Sequence, residues 1–180
     1  MRMLVLLPGG VASREVLVPL EVIHDRLGVE VIWAAQEAGG VPGHDPPMSF
    51  HADVAFSSLE EPPDLLLLPG GFGSLEMALD PDLTARLRLL AAPPTVSLAI
   101  STGALPLAAA GLLQGQRVAS HWLARRYLEG FGTIPVEDQF AVAGRIITTA
   151  GSVSASFAAS FAADLVAYGP MPSLDLGQRA

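Results

Sequence analysis

Two residue types with reactive side chains are missing from this sequence of 180 residues. It contains no cysteine, and all ten of its basic residues are arginine, so lysine is missing as well. The lack of cysteine excludes disulfides, thiolate metal sites and thiol catalysis. The lack of lysine excludes Schiff-base chemistry and the lysine of a phosphate-binding loop.

Long apolar runs and clustered positive charge are missing too. Apolar residues make up 51% of the chain, yet no apolar run reaches the roughly 18 to 20 residues that a membrane span needs. The net charge is −8, and the only adjacent basic residues are Arg125 and Arg126, which disfavours binding to nucleic acid. The first apolar run starts almost at Met1 and leaves no room for a signal peptide. We therefore expect a cytoplasmic protein with neither a membrane nor a nucleic-acid partner.

Short apolar runs alternate with segments of helical spacing. Residues 3–7 and 65–68 are continuous apolar runs, typical of strands buried on both faces of a parallel sheet. Residues 15–27 carry apolar side chains three or four apart, which predicts a helix, and residues 29–35 predict the next strand. This order indicates an α/β fold with a mostly parallel open sheet and helices on both faces.

Turn-forming and helix-forming residues divide the rest of the chain. Residues 36–47 are rich in Gly and Pro and predict a loop. Asp80 and Pro81 supply the cap acceptor and the proline that commonly begin a helix. The Ala/Leu run at 104–113 predicts a helix packed in the core.

The end of the sequence predicts one more helix. Ser152 or Ser154 is expected to cap it, and Gly-Pro after Tyr168 should end it. No internal repeat or interdomain linker is visible. We therefore expect a single domain over residues 1–170 and a C-terminal tail over 171–180.

Three of the predicted strands end in residues suited to chemistry. In open α/β sheets, ligands bind outside the carboxyl ends of the strands. If the three strands are neighbours, their ends converge on one crevice. The marked ends are Pro8-Gly9-Gly10 leading to Glu15, Pro69-Gly70-Gly71, and Ser101.

Three stretches resemble the ThiJ/PfpI superfamily. They are "LLLLPGG", "LAISTGALPLAAAGLLQGQRVASHW" and "IITTAG", and the resemblance covers nearly the whole chain. It implies the class I glutamine amidotransferase-like fold, which is flavodoxin-like with a strand–nucleophile elbow–helix, and a homodimer. The elbow stretch looks most like isonitrile hydratases and the amidase-like domain of some transcription regulators.

The resemblance assigns roles to individual positions. Ser101 stands where the family signature has a nucleophilic cysteine, and Glu15, four residues before a proline, matches the family's acidic partner. Gly70 and Gly71 match the pair at the oxyanion site, which the Thr102 backbone amide completes. His121 matches a histidine that many members present near the site, often across a subunit boundary.

Two positions depart from the family pattern. Thr102 stands where PfpI-type peptidases carry a histidine directly after the nucleophile, which counts against a peptidase dyad. Ala158 stands where isonitrile-hydratase-like members often have an Asp in the last helix.

His44 and His51 lie near acidic residues but lack the spacing of a metal site. We expect neither a metal nor another cofactor.

A serine at the elbow predicts weakened chemistry. The helix that begins after Ser101 points its amides at that side chain and favours negative charge there. This field lowers the pKa of a thiol, but a hydroxyl is a far weaker acid and needs a base in contact. Two functions remain open: an enzyme acting on a small electrophile such as an isonitrile, nitrile, amide or aldehyde, or a non-catalytic sensor or stress protein that binds one. A third possibility is that Ser101 was introduced by engineering in place of a native cysteine.

The elbow also makes geometric predictions. Ser101 should have a strained backbone with positive φ and lie near the carboxyl group of Glu15. Burial in an apolar crevice should raise the pKa of Glu15, with Arg14 on the other side of the turn.

Overall fold

The computed structural model of the protein describes residues 1–45 and 48–169. The expected tail at 171–180 lies outside the described residues. These residues contain eleven strands: β1 Arg2–Leu6, β2 Glu30–Ala35, β3 Gly39–Pro42, β4 Ser49–Ala52, β5 Val54–Ala55, β6 Leu65–Leu68, β7 Val96–Ile100, β8 Arg117–Ala119, β9 Ile134–Val136, β10 Phe140–Ala143 and β11 Ile146–Thr149. Seven of them form the central sheet, in the order β10-β11-β7-β6-β1-β2-β5. All pairings in this sheet are parallel except that of β10 with β11, which is antiparallel.

Six α-helices are present in the described residues, and they cover both faces of the sheet. None of them is both long and apolar enough to cross a membrane. The helices are α1 Ser13–Leu27, α2 Ser74–Leu79, α3 Pro81–Leu90, α4 Ala104–Ala109, α5 Arg125–Gly130 and α6 Ser152–Tyr168. The predicted α/β fold with a mostly parallel sheet is therefore confirmed.

The core divides into two layers because successive side chains of a strand point to opposite faces of the sheet. In β1, Met3 and Val5 pack in the layer that contains α1 and α6, while Leu4 and Leu6 pack in the layer that contains α2, α3 and α4. The four leucines of β6 divide between the two layers in the same way. Burial on both faces explains why these strands are continuous apolar runs.

Three local predictions differ from the structure. Part of the Gly/Pro-rich segment forms β3, which pairs antiparallel with β4. The helix predicted over 104–113 ends at Ala109, because Gly111 takes a left-handed backbone with φ 79° soon afterwards. Neither Ser152 nor Ser154 caps α6, and the cap position is Gly151. The Ser154 hydroxyl lies 2.9 Å from the Gln139 carbonyl oxygen and 3.3 Å from that of Gly151, and can donate to one of them at a time.

The strand order places a crevice beside β1. The chain runs from β1 outward to β2 and β5, then crosses to the other side of β1 for β6 and β7. This reversal is the topological switch point at which open α/β sheets bind ligands. The carboxyl ends of β1, β6 and β7, which carry the three marked segments, are consecutive in the sheet.

Candidate functional site

The loops after β1 and β6 are joined by their backbones. The Ala12 N–H donates to the Gly70 carbonyl oxygen at 3.0 Å, and Val11 forms an isolated antiparallel bridge with Gly71. These contacts fix the start of α1, and therefore Glu15 in its first turn, against the end of β6. Two loops far apart in sequence thus form one rigid wall of the crevice.

Ser101 occupies a strained position at the end of β7. Its φ is 58°, and it is the one non-glycine residue with positive φ in the described residues, as the elbow pattern predicts. A 3₁₀ turn over Ser101–Gly103 leads into α4. The Ser120 hydroxyl donates to the Ser101 carbonyl oxygen at 2.5 Å and holds the elbow from the side of β8.

Glycine at 103 lets the elbow approach β6 closely. A Cβ on Gly103 would lie 2.0 Å from the Leu68 carbonyl oxygen, a distance that no side chain can tolerate. The turn therefore packs directly on the end of the neighbouring strand. This contact sets where Ser101 stands relative to Gly70.

Glu15 is a buried carboxyl group at the same point. It is 8% exposed, and its Oε2 accepts a hydrogen bond from the Gly70 N–H at 2.8 Å. Burial raises the pKa of Glu15, and hydrogen bonds from the Gly70 amide and the Ser101 hydroxyl offset part of that rise. Arg14 is exposed and forms no ion pair with it in the described residues. The expected direction of the pKa shift is confirmed.

Gly70 brings the expected site residues together. A Cβ at this position would lie 2.6 Å from Glu15 Oε2 and 3.0 Å from both Ser101 Cβ and Thr102 Oγ1. The three side chains thus surround one α-carbon. Any larger residue at 70 would displace at least one of them.

Both glycine amides have partners in this structure. The Gly70 N–H is bonded to Glu15, and the Gly71 N–H donates to Thr102 Oγ1 at 3.0 Å. Thr102 Oγ1 also lies 3.2 Å from the Gly71 carbonyl oxygen and 3.1 Å from Ser74 Oγ, and can donate to one of them at a time. Ser74 and Ser120 were not predicted as site residues, because nothing in the sequence around them marks them as partners of the elbow.

His121 stands apart from this cluster. Its Nδ1 accepts a hydrogen bond from the Leu123 N–H at 3.3 Å, and its ring lies 5.7 Å from that of Trp122. Within residues 1–45 and 48–169, no hydrogen bond joins it to Ser101 or Glu15. Its link to the elbow is through its chain neighbour Ser120.

The other residues considered for chemistry lie elsewhere. Ala158 is fully buried in the layer between α6 and the sheet. The His44 ring packs edge-on against Phe72, with centroids 4.9 Å apart, and His51 lies in β4. No group of three or more His, Asp or Glu side chains in the described part of the chain is arranged to hold a metal ion.

Comparisons with known proteins agree with this architecture. The family model described as "DJ-1/PfpI family" matches residues 1–166. A crystal structure of a ThiJ/PfpI family protein from Pseudomonas syringae superposes with a TM-score of 0.77 at 25% identity, covering 98% of this chain and 78% of that one.

Two relatives carry functional names. Isonitrile hydratase from Pseudomonas putida is 33% identical over 127 residues, which are 63% of this chain and 56% of that protein. The HTH-type transcriptional regulator CdhR from Pseudomonas aeruginosa is 34% identical over 129 residues, which are 71% of this chain and 37% of the regulator. The matched region is thus little more than half of the first relative and a minority of the second.

Proposed function

Because this chain belongs to the DJ-1/PfpI family, we propose that it binds a small electrophilic molecule in the crevice around Ser101 and Glu15 and hydrates it slowly. The observation that carries the proposal is the buried Glu15 carboxyl group, held on the Gly70 amide beside a backbone-strained Ser101. Strain and a raised carboxyl pKa concentrate at functional sites. The similarity to an isonitrile hydratase makes isonitriles the first substrate class to test.

Ser101 and Glu15 have distinct roles in the proposed hydration of an isonitrile. The Ser101 oxygen bonds to the terminal carbon of the isonitrile, and Glu15 takes the hydroxyl proton and returns it to that carbon, giving an imidate ester. Water then adds across the C=N bond, with its hydroxyl going to the carbon and its proton to the nitrogen. The bond between that carbon and the Ser101 oxygen breaks, the Ser101 oxygen takes the proton of the added hydroxyl, and an N-substituted formamide leaves. Glu15 suits this proton shuttle because a raised pKa brings it closer to neutral pH.

The backbone amides limit the rate. Stabilising negative charge requires N–H groups aimed at the place where it develops, yet the Gly70 and Gly71 N–H groups are already bonded. They join the Thr102 amide in this task only after Glu15 and the Thr102 hydroxyl release them. A protonated Glu15 is a weaker acceptor than a carboxylate, so proton transfer to it loosens its hold on Gly70.

Two features of the site favour a second function. Ser101 stands in place of the family's cysteine, and the Gly70 and Gly71 amides are already bonded. Both features also suit a site that binds an electrophile without converting it, as in a small-ligand sensor or regulatory protein. The similarity to part of a transcriptional regulator is compatible with such a role.

For both functions we propose a homodimer, in which His121 of each subunit completes the site of the other.

Product formation separates the two functions. Benzyl isonitrile should be incubated with the protein and with Ser101→Cys and Ser101→Ala variants, and formamide followed by NMR. We expect the Cys variant to be faster than the serine protein by orders of magnitude, and the Ala variant to be inert. Binding without formamide from the serine protein supports the sensor, and a serine protein faster than the Cys variant contradicts the weakened-enzyme proposal.

A further inference from the structure

An apolar groove opens beside the elbow and is not part of the cluster described above. Its volume is about 140 Å³. Gly71 and Thr102, two residues of the candidate site, are among its lining residues, so the groove adjoins that site. The other lining residues come from the loop after β6, from α2 and α4, from the turn before α5 and from α5 itself: they are Phe72, Leu75, Leu105, Leu123, Ala124 and Tyr127.

The groove offers almost nothing to a polar or charged group. None of its lining residues carries a charge. The hydroxyl of Thr102 is already used in contacts with Gly71 and Ser74, and the Tyr127 hydroxyl accepts a hydrogen bond from Arg126. An ionised or sugar-like group would lose its hydration here without new partners, at a substantial cost.

The size of the groove selects a compact hydrocarbon. An apolar protein cavity of about 150 Å³ accommodates a benzene molecule, and this groove is of similar volume. The groove is open along one side, where Leu123 is 52% exposed. A bound ring would cover apolar surface that water otherwise contacts, which favours binding.

We propose that this groove holds the hydrocarbon substituent of the substrate, so that the electrophile is one bearing a compact apolar ring or branched alkyl group. This inference rests on the proposed function, since it takes the reacting carbon to lie at Ser101. Leu75, Leu123 and Tyr127 then determine specificity: they contact the substituent and do not touch the reacting atoms.

Titration with two probes tests the proposal. Benzyl isonitrile and methyl isonitrile share the reacting group and differ in the ring, and binding is followed by backbone amide NMR shifts. We expect benzyl isonitrile to bind about tenfold more tightly, since one ring is partly buried, with shifts at Leu75, Thr102 and Tyr127. Equal affinity for the two probes, or ring-dependent shifts elsewhere, overturns the proposal.

A matched pair of variants locates the effect. Leu123→Asp places a charge on the groove, and Leu79→Asp places one on an exposed leucine of α2 outside it, 70% exposed. Leu123→Asp should reduce the affinity for benzyl isonitrile to that for methyl isonitrile, and Leu79→Asp should leave both unchanged. Unequal affinities that persist in Leu123→Asp refute the assignment.

A third probe separates this inference from the proposed function. Benzyl alcohol carries the ring without the electrophile. If both benzyl compounds shift the groove amides but neither isonitrile shifts the amides of Gly70 and Ser101 and no formamide forms, the groove is a hydrocarbon site and the proposed function fails. If neither isonitrile binds and benzyl alcohol also produces no shift at the groove, both fail.

Discussion

Ionisation of Glu15 makes the stability of the fold depend on pH. Burial raises its pKa above the ordinary value of 4.5. Between that value and the raised pKa, the folded protein retains a proton that the unfolded chain has released, so the free energy of unfolding falls as pH rises. Glu15→Gln removes the ionisation and keeps an oxygen for the Gly70 amide. We expect the Gln variant to be more stable than the wild type to urea at neutral pH.

The control for this prediction is on the same helix. Glu21 is exposed, so Glu21→Gln should leave the urea midpoint at neutral pH unchanged. A Glu15→Gln variant that is less stable than the wild type at neutral pH would show that the charged carboxyl group stabilises the fold.

Ser101 has a strained, left-handed backbone conformation. A left-handed backbone costs a non-glycine residue about 1 kcal/mol or more, and glycine avoids this cost. Ser101→Gly and Ser101→Ala both remove the hydroxyl, but only Gly removes the Cβ. We expect Ser101→Gly to be more stable than Ser101→Ala by about 1 kcal/mol in denaturant titration. An Ala variant as stable as the Gly variant would mean that the elbow relaxes out of the left-handed region.

At the scale of elements, the approach of the elbow to β6 is the critical contact. Gly103→Ala would place a Cβ against the Leu68 carbonyl oxygen, in backbone that cannot move aside. We expect a loss of about 3 kcal/mol in the free energy of unfolding. Gly130→Ala is the matched control, because nothing lies within 4 Å of its Cβ position and alanine favours α5 by up to about 1 kcal/mol. Equal stabilities of the two variants would refute the contact.

Elements with strong local signals could be predicted, and those set by tertiary contacts could not. Asp80 accepts hydrogen bonds from two amides at the start of α3, as its sequence signature indicates. The helix α2 has six residues and no side-chain cap, so it depends on packing alone. Strand β3 lies in a Gly/Pro-rich stretch, and it forms because β4 pairs with it and Val11 bridges to Gly43.

At the scale of the whole molecule, the sequence predicts that the site residues meet only if the three strands that carry them are neighbours in the sheet. The sequence marks three strand ends, but their adjacency is a property of strand order, which depends on long-range pairing. The hydrogen bonds that occupy the Gly70 and Gly71 amides depend on side-chain positions in the finished fold. No local pattern encodes them.

The proposed homodimer is also a whole-molecule property. Val153 and Phe157 lie one turn apart on α6 and are 92% and 60% exposed, and adjacent exposed apolar groups of this kind mark interaction surfaces. We expect sedimentation to give a dimer, Val153→Asp to shift it toward monomer, and Leu79→Asp on α2 to leave it unchanged. A monomeric wild type contradicts the homodimer, and a dimer insensitive to Val153→Asp places the interface elsewhere.

We propose that this scaffold stabilises an anion at the elbow and that serine cannot supply one. The thiol pKa of the Ser101→Cys variant tests it most directly, because the chain has no other cysteine. The pKa is read from the pH dependence of iodoacetamide alkylation, with Ser57→Cys as an exposed control. The thiol pKa of free cysteine is about 8.5. We predict a value well below this at position 101 and an ordinary value at position 57. A thiol at position 101 that titrates at or above the control contradicts the account.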